Sequence, residues 1–251
     1  MTLLYFLLIG ATAQLIDGSL GMGFGLLSST FLVFMGSTAA IASASVHMAE
    51  IGTTLASGIS HWRAENVDKR IVLALAIPGS IGAFIGANFL SNIDLTSSKN
   101  FISTVLLLMG LVLFYRNVFT RPHRNLFDIH NRKYVALLGF SGGFIDASGG
   151  GGWGPIVTST ILSTTTIEPR KAIGTVSASE FCVALAASLG FLFNIEKIGF
   201  EWVTVAGLAL GGILLAPISA KLVSILNSRV LGACVGIAII MLNGFNLATH
   251  F

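Results

Sequence analysis

Asp17-Gly18-Ser19-Leu20-Gly21-Met22-Gly23-Phe24-Gly25 and Asp146-Ala147-Ser148-Gly149-Gly150-Gly151-Gly152-Trp153-Gly154-Pro155 each interrupt a long apolar stretch, residues 3–35 and 134–164. In a helix interior each glycine costs up to about 1 kcal/mol against alanine and proline about 3. Both stretches are therefore expected to be broken helices. The two breaks are also copies of one another. Asp17 falls on Asp146, Gly21 on Gly150, Gly23 on Gly152, Phe24 on Trp153 and Gly25 on Gly154, all 129 residues apart. The match continues outward: Ala42, Val46 and Glu50 fall on Ala172, Val176 and Glu180 at a distance of 130, and Gly79, Ala83 and Ala87 on Gly212, Ala216 and Ala220 at 133. The chain is an internal duplication.

Between and beyond the breaks lie six apolar runs of membrane-spanning length, residues 38–61, 71–91, 100–118, 171–193, 202–223 and 229–248. A bilayer core asks for about 20 apolar residues per helix. Of the 251 residues, 54% are hydrophobic and only 10% charged, with a mean hydropathy of +0.86. Soluble domains carry roughly a quarter charged residues. Alternating β patterning is absent, so a membrane barrel is excluded. These observations predict an all-α polytopic membrane protein of eight apolar segments in two repeats, 1–118 and 133–251, joined by a basic cytoplasmic linker over 119–132.

Charge distribution sets the expected orientation. If each broken segment enters and leaves by the same face, every Lys and Arg except Lys99 and Lys197 falls on one side, and the two repeats are inverted. If all eight segments cross, the bias is weak. The first arrangement fits better and puts both termini outside a cytoplasmic membrane. Residues 1–16 lack a preceding basic residue and are expected to stay in the mature chain.

The basic residues number 14 against 11 acidic, and they sit at the ends of apolar runs, where topology accounts for them without nucleic acid. Cys182 and Cys234 lie inside apolar runs and suggest neither a disulfide framework nor a metal site. No Walker loop is present, and no cofactor and no metal ligand set is expected.

Inverted repeats with discontinuous helices point to a secondary transporter with its site near the bilayer midplane. Free N–H groups of a helix beginning after a break offer donors and partial positive charge to an anion. This makes Gly21, Gly23, Phe24 and Gly25 one half of a candidate substrate site, and Gly150, Gly151, Gly152, Trp153 and Gly154 the other. Hydroxyls of Ser28, Ser29, Thr158 and Ser177 add donors. The pairs Gly82/Gly86, Gly207/Gly211 and Gly232/Gly236 read instead as helix-packing positions.

Ser43, His47, Glu50, Thr54, Ser57 and His61 recur at spacings of 4, 3, 4, 3 and 4, one face of a helix. A polar stripe of this length should face a cavity or another helix. Glu50 and Glu180 can carry protons or accept N–H groups of the neighbouring broken helix, and the sequence leaves both readings open. Asp17 and Asp146 suit helix caps, and His47 suits a hydrogen-bonded partner of an acid. All five are candidates for coupling or gating.

Two acid-glycine motifs, the second within the stretch GGFIDASGGGGWGP at 142–155, in a chain of eight apolar segments resemble the TauE/SafE family of sulfite and organosulfonate exporters. The resemblance spans nearly the whole chain. It implies transport, usually outward, of small sulfur oxyanions such as sulfite or sulfoacetate across the bacterial cytoplasmic membrane. The first motif departs from the glycine-rich pattern at Leu20, Met22 and Phe24, which implies a narrower, more apolar wall there. Two other readings fit the residues: a transporter or channel for a different small anion, and an intramembrane hydrolase with Ser148 as nucleophile, which the duplicated motif disfavours.

Overall fold

A computed structural model describes residues 2–119, 128–129, 131–198, 201–222 and 228–249, so most of the 119–132 linker lies outside the described residues. The described chain is helical throughout. In the first half α1 (Thr2–Leu20) and α2 (Phe24–Phe34) flank the first break, followed by α3 (Ala39–Arg63), α4 (Lys69–Asn92) and α5 (Leu95–Phe119). In the second, α6 (Arg132–Gly149) leads through a π-helical turn (Gly154–Thr158) into α7 (Ser159–Thr164), then α8 (Pro169–Leu192), the single turn α9 (Ile195–Ile198), α10 (Trp202–Leu222) and α11 (Ser228–Thr249).

The six expected runs are all long helices. Lys69–Asn92, Ser97–Phe119, Pro169–Leu192 and Arg229–Thr249 have both the length and the apolarity of membrane spans. The equally long α3 falls outside that set because of its polar stripe, and the apolar part of α10, Trp202–Ala216, is shorter. Starts are fixed by side-chain caps: Thr38 Oγ1 accepts from Ile41 N–H at 3.2 Å, Asp68 Oδ1 from Arg70 N–H at 2.9 Å and Asn131 Oδ1 from Lys133 N–H at 3.2 Å. Leu73, Ile77, Leu137, Leu214, Met241 and Phe245 are exposed. In water such a belt would be a liability; against lipid chains it is the expected outer surface.

Both breaks begin one turn later than the acids that announce them. The helical ladder continues past Asp17, with Gly21 N–H donating to Asp17 O at 2.7 Å, because a lone Gly18 is tolerated in a helix. The turn comes where the backbone leaves the right-handed region. Gly21 and Gly150 have φ of 68° and 74°, and Gly23 and Gly151 have 140° and 147°. Only glycine adopts these angles without strain; Gly21 and Gly150 are equivalent in the duplication and share the left-handed turn, whereas the second positive φ falls at Gly23 in one half and one position earlier, at Gly151, in the other.

Packing between halves is reciprocal. The most extensive helix contacts are α1 with α10, α4 with α6, α5 with α11 and α3 with α8, alongside α4 with α8. Each pair joins one element of the first half to one of the second, and α1–α10 mirrors α6–α4. Close approach depends on glycine: a Cβ added at Gly10 would lie 2.3 Å from Leu208 O, and one at Gly139 would lie 2.7 Å from Leu75 O, the same contact made twice. The same close packing occurs at Gly82 and Gly86 against α6, Gly207 and Gly211 against α1, and Gly232 and Gly236 against α5. Even the aromatic residues of the breaks keep the pattern, Phe24 lying against Gly212 and Trp153 against Gly79.

Candidate translocation site

The two breaks meet in the centre of the bundle. A Cβ at Gly151 would lie 2.3 Å from Leu26 N, one at Gly154 2.4 Å from Met22 Cβ, and one at Gly25 3.1 Å from Gly151 Cα. Ser29 Oγ donates to Gly150 O across the junction, and Ser43 Oγ donates to Ala147 O at 2.7 Å. The hydroxyls expected to serve a ligand thus divide. Ser29 ties the halves together, whereas Ser28 Oγ and Thr158 Oγ1 are buried with no hydrogen-bond partner.

Three of the amides expected to hold an anion already have acceptors. Asp146 Oδ1 accepts from Gly152 N–H at 2.7 Å and Trp153 N–H at 2.9 Å, and Asp17 Oδ1 accepts from Phe24 N–H at 3.3 Å. The acids therefore cap the helix on the far side of each break, spanning six or seven residues. This changes the geometry read from the sequence: Gly150, Gly151, Gly152 and Gly154 form packed backbone, and Trp153 is fully buried with its Nε1–H donating to Val176 O at 3.3 Å. Gly21 and Gly23 pack against Ile173 and Ile16.

Around this junction the α3 stripe gathers the ionisable groups. His47 Nδ1 lies 2.8 Å from Glu50 Oε2 and 3.9 Å from Asp146 Oδ2, and its Nε2 lies 3.3 Å from Asp146 O. The imidazole stacks on Phe191, which holds the ring between the two acids. His47 Nδ1 and one oxygen each of Glu50 and Asp146 fall within 4.8 Å of one another, close enough to hold a metal ion. The 2.8 Å between His47 Nδ1 and Glu50 Oε2 is an ion-pair contact, shorter than the roughly 3.3 Å between two ligands bonded at about 2.0–2.1 Å to a tetrahedral ion, so the imidazole pairs with Glu50 directly.

Beside this cluster is an enclosed polar cavity of about 10 Å³. Gln14 and Asp17 of α1, Phe24 of α2, Glu50, Thr53, Thr54 and Ser57 of α3, and Ser177 and Glu180 of α8 border it. Of the break residues Asp17 and Phe24 reach it. Thr54 also borders a larger open groove of about 410 Å³ that runs along α3 past Gly58 to Trp62 and Arg63. Apart from Thr54 the groove is bordered mainly by apolar residues, Leu55, Ile59, Val72 and Phe181 among them, and His61 at the end of the stripe packs against Gly174.

The sequence reading missed Gln14, Thr53 and Arg116. Gln14 precedes Asp17 by three residues, so the i, i+3 rule could have placed both on one face. Arg116 was counted as an orientation signal, but its Nη1 donates to Ser159 Oγ at 2.8 Å and to Met22 Sδ at 2.9 Å, touching residues of both halves. Among the described residues no acid pairs with it. Ser148 Oγ donates to Phe144 O at 2.6 Å, inside its own helix turn, and among the described residues no histidine is bonded to it.

The sequence model of the family described as Sulfite exporter TauE/SafE matches residues 6–245. The chain belongs to the TauE/SafE family. It is 47% identical over 255 residues to the probable membrane transporter protein YtnM of Bacillus subtilis (strain 168), covering 99% of this chain and 84% of that protein. It is 23% identical over 225 residues to the probable membrane transporter protein YdhB of the same organism, covering 87% and 88%. TauE/SafE membership and these relatives make the chain a multi-pass membrane transporter rather than an enzyme, and the buried acid-imidazole cluster belongs to a transport protein.

Proposed function

We propose that this protein is a secondary transporter of small sulfur-containing oxyanions such as sulfite or sulfoacetate, working outward across the cytoplasmic membrane when the cytoplasmic concentration is high. The observation that carries the reading is the enclosed polar cavity beside two touching helix breaks, bordered by elements of both halves. Polar groups and irregular backbone at such depth are tolerated where they serve a pathway. The family description supplies the substrate class.

A void of about 10 Å³ holds about one water, far less than a sulfur oxyanion. The arrangement is therefore the occluded one, and passage requires α1 and α2 to part from α8. On opening, the unpartnered hydroxyls of Ser28 and Thr158 and the side chains of Ser57 and Ser177 supply donors, with the glycine breaks as hinges and backing wall. Arg116 gives one positive charge next to Met22 to draw an anion in. Reciprocal packing of the halves supports inverted repeats with the groove at Trp62 and Arg63 on the cytoplasmic side and both termini outside.

The test is uptake into proteoliposomes of labelled sulfite, thiosulfate, sulfoacetate, sulfate and phosphate. Saturable uptake of one or more of the first three, inhibited by the others of that set and not by phosphate, is expected. Phosphate movement with no flux of sulfur compounds would assign the protein to another anion.

A further inference from the structure

His47 and Ser177 occupy equivalent positions in the two halves, 130 residues apart. At the first position an imidazole stands between Asp146 and Glu50. At the second, the corresponding acids are Asp17 and Glu180, and the residue beside them carries only a hydroxymethyl group. The enclosed cavity is bordered by these three residues, Asp17, Ser177 and Glu180. It lies where the missing imidazole would be.

We propose that this cavity is a binding site for a small monovalent cation, sodium or hydronium, which takes the place held by the His47 ring in the other half. Four observations support it. The groups around the void are oxygen-bearing, from Gln14, Thr53, Thr54 and Ser57 as well as the acids, and oxygen is the ligand that hard cations select. Among the described residues no Lys or Arg borders it, so the carboxylates of Asp17 and Glu180 have no fixed countercharge there. Gln14 Oε1 is buried with no hydrogen-bond partner, a carbonyl oxygen left free beside the void. The fourth is the contrast with the other half, where the residues equivalent to Gln14, Thr53, Thr54 and Ser57 are Gly143, Val183, Ala184 and Ala187. The polar lining is present only around the site beside Ser177, and the equivalent site beside His47 lacks it.

Size agrees: about 10 Å³ accommodates one water-sized species. Two half-buried carboxylates facing one void without a countercharge repel one another, and a cation between them removes that cost. The charged and titratable groups that border the site are Asp17 from α1, Glu50 from α3 and Glu180 from α8, with His47 and Asp146 behind Glu50; α2 contributes none. As a coupling ion the cation rests on the anion-transport reading, because an oxyanion entering a junction lined by acids is repelled unless positive charge enters with it. Cation and anion then move in the same direction. As a binding site it stands apart from any substrate.

The test uses the purified full chain in detergent and the ions alone. The thermal midpoint is followed against NaCl, with ionic strength held by KCl, and then against pH in KCl. For a sodium site the midpoint rises saturably, by about 5–10 °C at a hundredfold excess over Kd. Glu180→Gln and Ser177→His both remove the rise, the second by filling the void as His47 fills its counterpart. For a hydronium site sodium has no effect, and the two variants flatten the pH dependence instead. A midpoint indifferent to both ions, or a sodium effect that survives in both variants, overturns the proposal. Absence of sulfur-oxyanion flux in a protein that still shows the cation effect counts against the substrate assignment alone.

Discussion

Asp146→Ala is expected to abolish transport and to destabilise the protein by about 3–5 kcal/mol, the range for removing one partner from a buried charged network. The carboxylate is buried and holds two amides at once, Gly152 N–H and Trp153 N–H, with the His47 ring 3.9 Å from its other oxygen. Without it two buried donors lose their acceptor, each costing about 1–3 kcal/mol. The α6 break would then lose the cap that fixes its angle. The equivalent change in the first half, Asp17→Ala, removes one bond of 3.3 Å at a half-buried position and should cost about 1 kcal/mol. Thermal unfolding of both variants in detergent, with uptake measured alongside, checks the ordering. Equal losses would mean that the two acids do not differ as their bonds imply. Asp146→Asn keeps an oxygen for the amides and should retain much of the stability while losing transport.

Gly151→Ala should be the most damaging single change of a glycine in the breaks, costing about 2–6 kcal/mol from backbone strain and overpacking together. Its φ of 147° lies where alanine is strained, and the added Cβ would meet Leu26 N at 2.3 Å and Gly25 C at 2.5 Å. Both neighbours are backbone, so no rotamer change relieves the contact, and the halves must separate. Gly36→Ala is the control, with φ of 98° and nothing within 4 Å of the new Cβ. It carries strain without a clash and should cost about 1 kcal/mol. Size-exclusion profiles and thermal midpoints of the two variants separate the terms; a Gly151→Ala protein as stable as the Gly36→Ala one would contradict the packing of break against break.

Much of this arrangement was legible in the sequence because its constraints are local. Glycine at a position of positive φ, an acid a fixed distance before it, and small residues at helix-crossing points each leave a mark at a definite spacing, and each mark occurs twice. The α3 stripe was legible for the same reason, with Ser43, His47 and Glu50 at the centre of the bundle and Thr54 and Ser57 on the cavity. Other features depend on distances that only the fold fixes. The sequence placed free amides at the breaks, but not that Asp146 reaches across six and seven residues to occupy those of Gly152 and Trp153. Arg116 looked like a membrane-edge charge because nothing in its neighbourhood shows a long side chain reaching to Met22 and Ser159. The substitution of Ser177 for His47 is visible when the two halves are aligned. Its consequence, a void beside Asp17 and Glu180, follows only once α3 and α8 are known to pack together. Single turns such as α9 carry no period to read.

The central claim is that the substrate passes through the junction of the two breaks beside Ser177. It is tested by Ser177→Cys in a protein with Cys182 and Cys234 replaced by alanine, exposed to a charged methanethiosulfonate reagent in membranes with and without sulfoacetate. The account predicts that the introduced thiol is modified during turnover, that sulfoacetate slows the modification, and that modification stops transport. A thiol that never reacts, or that reacts at the same rate with transport unaffected, would contradict it.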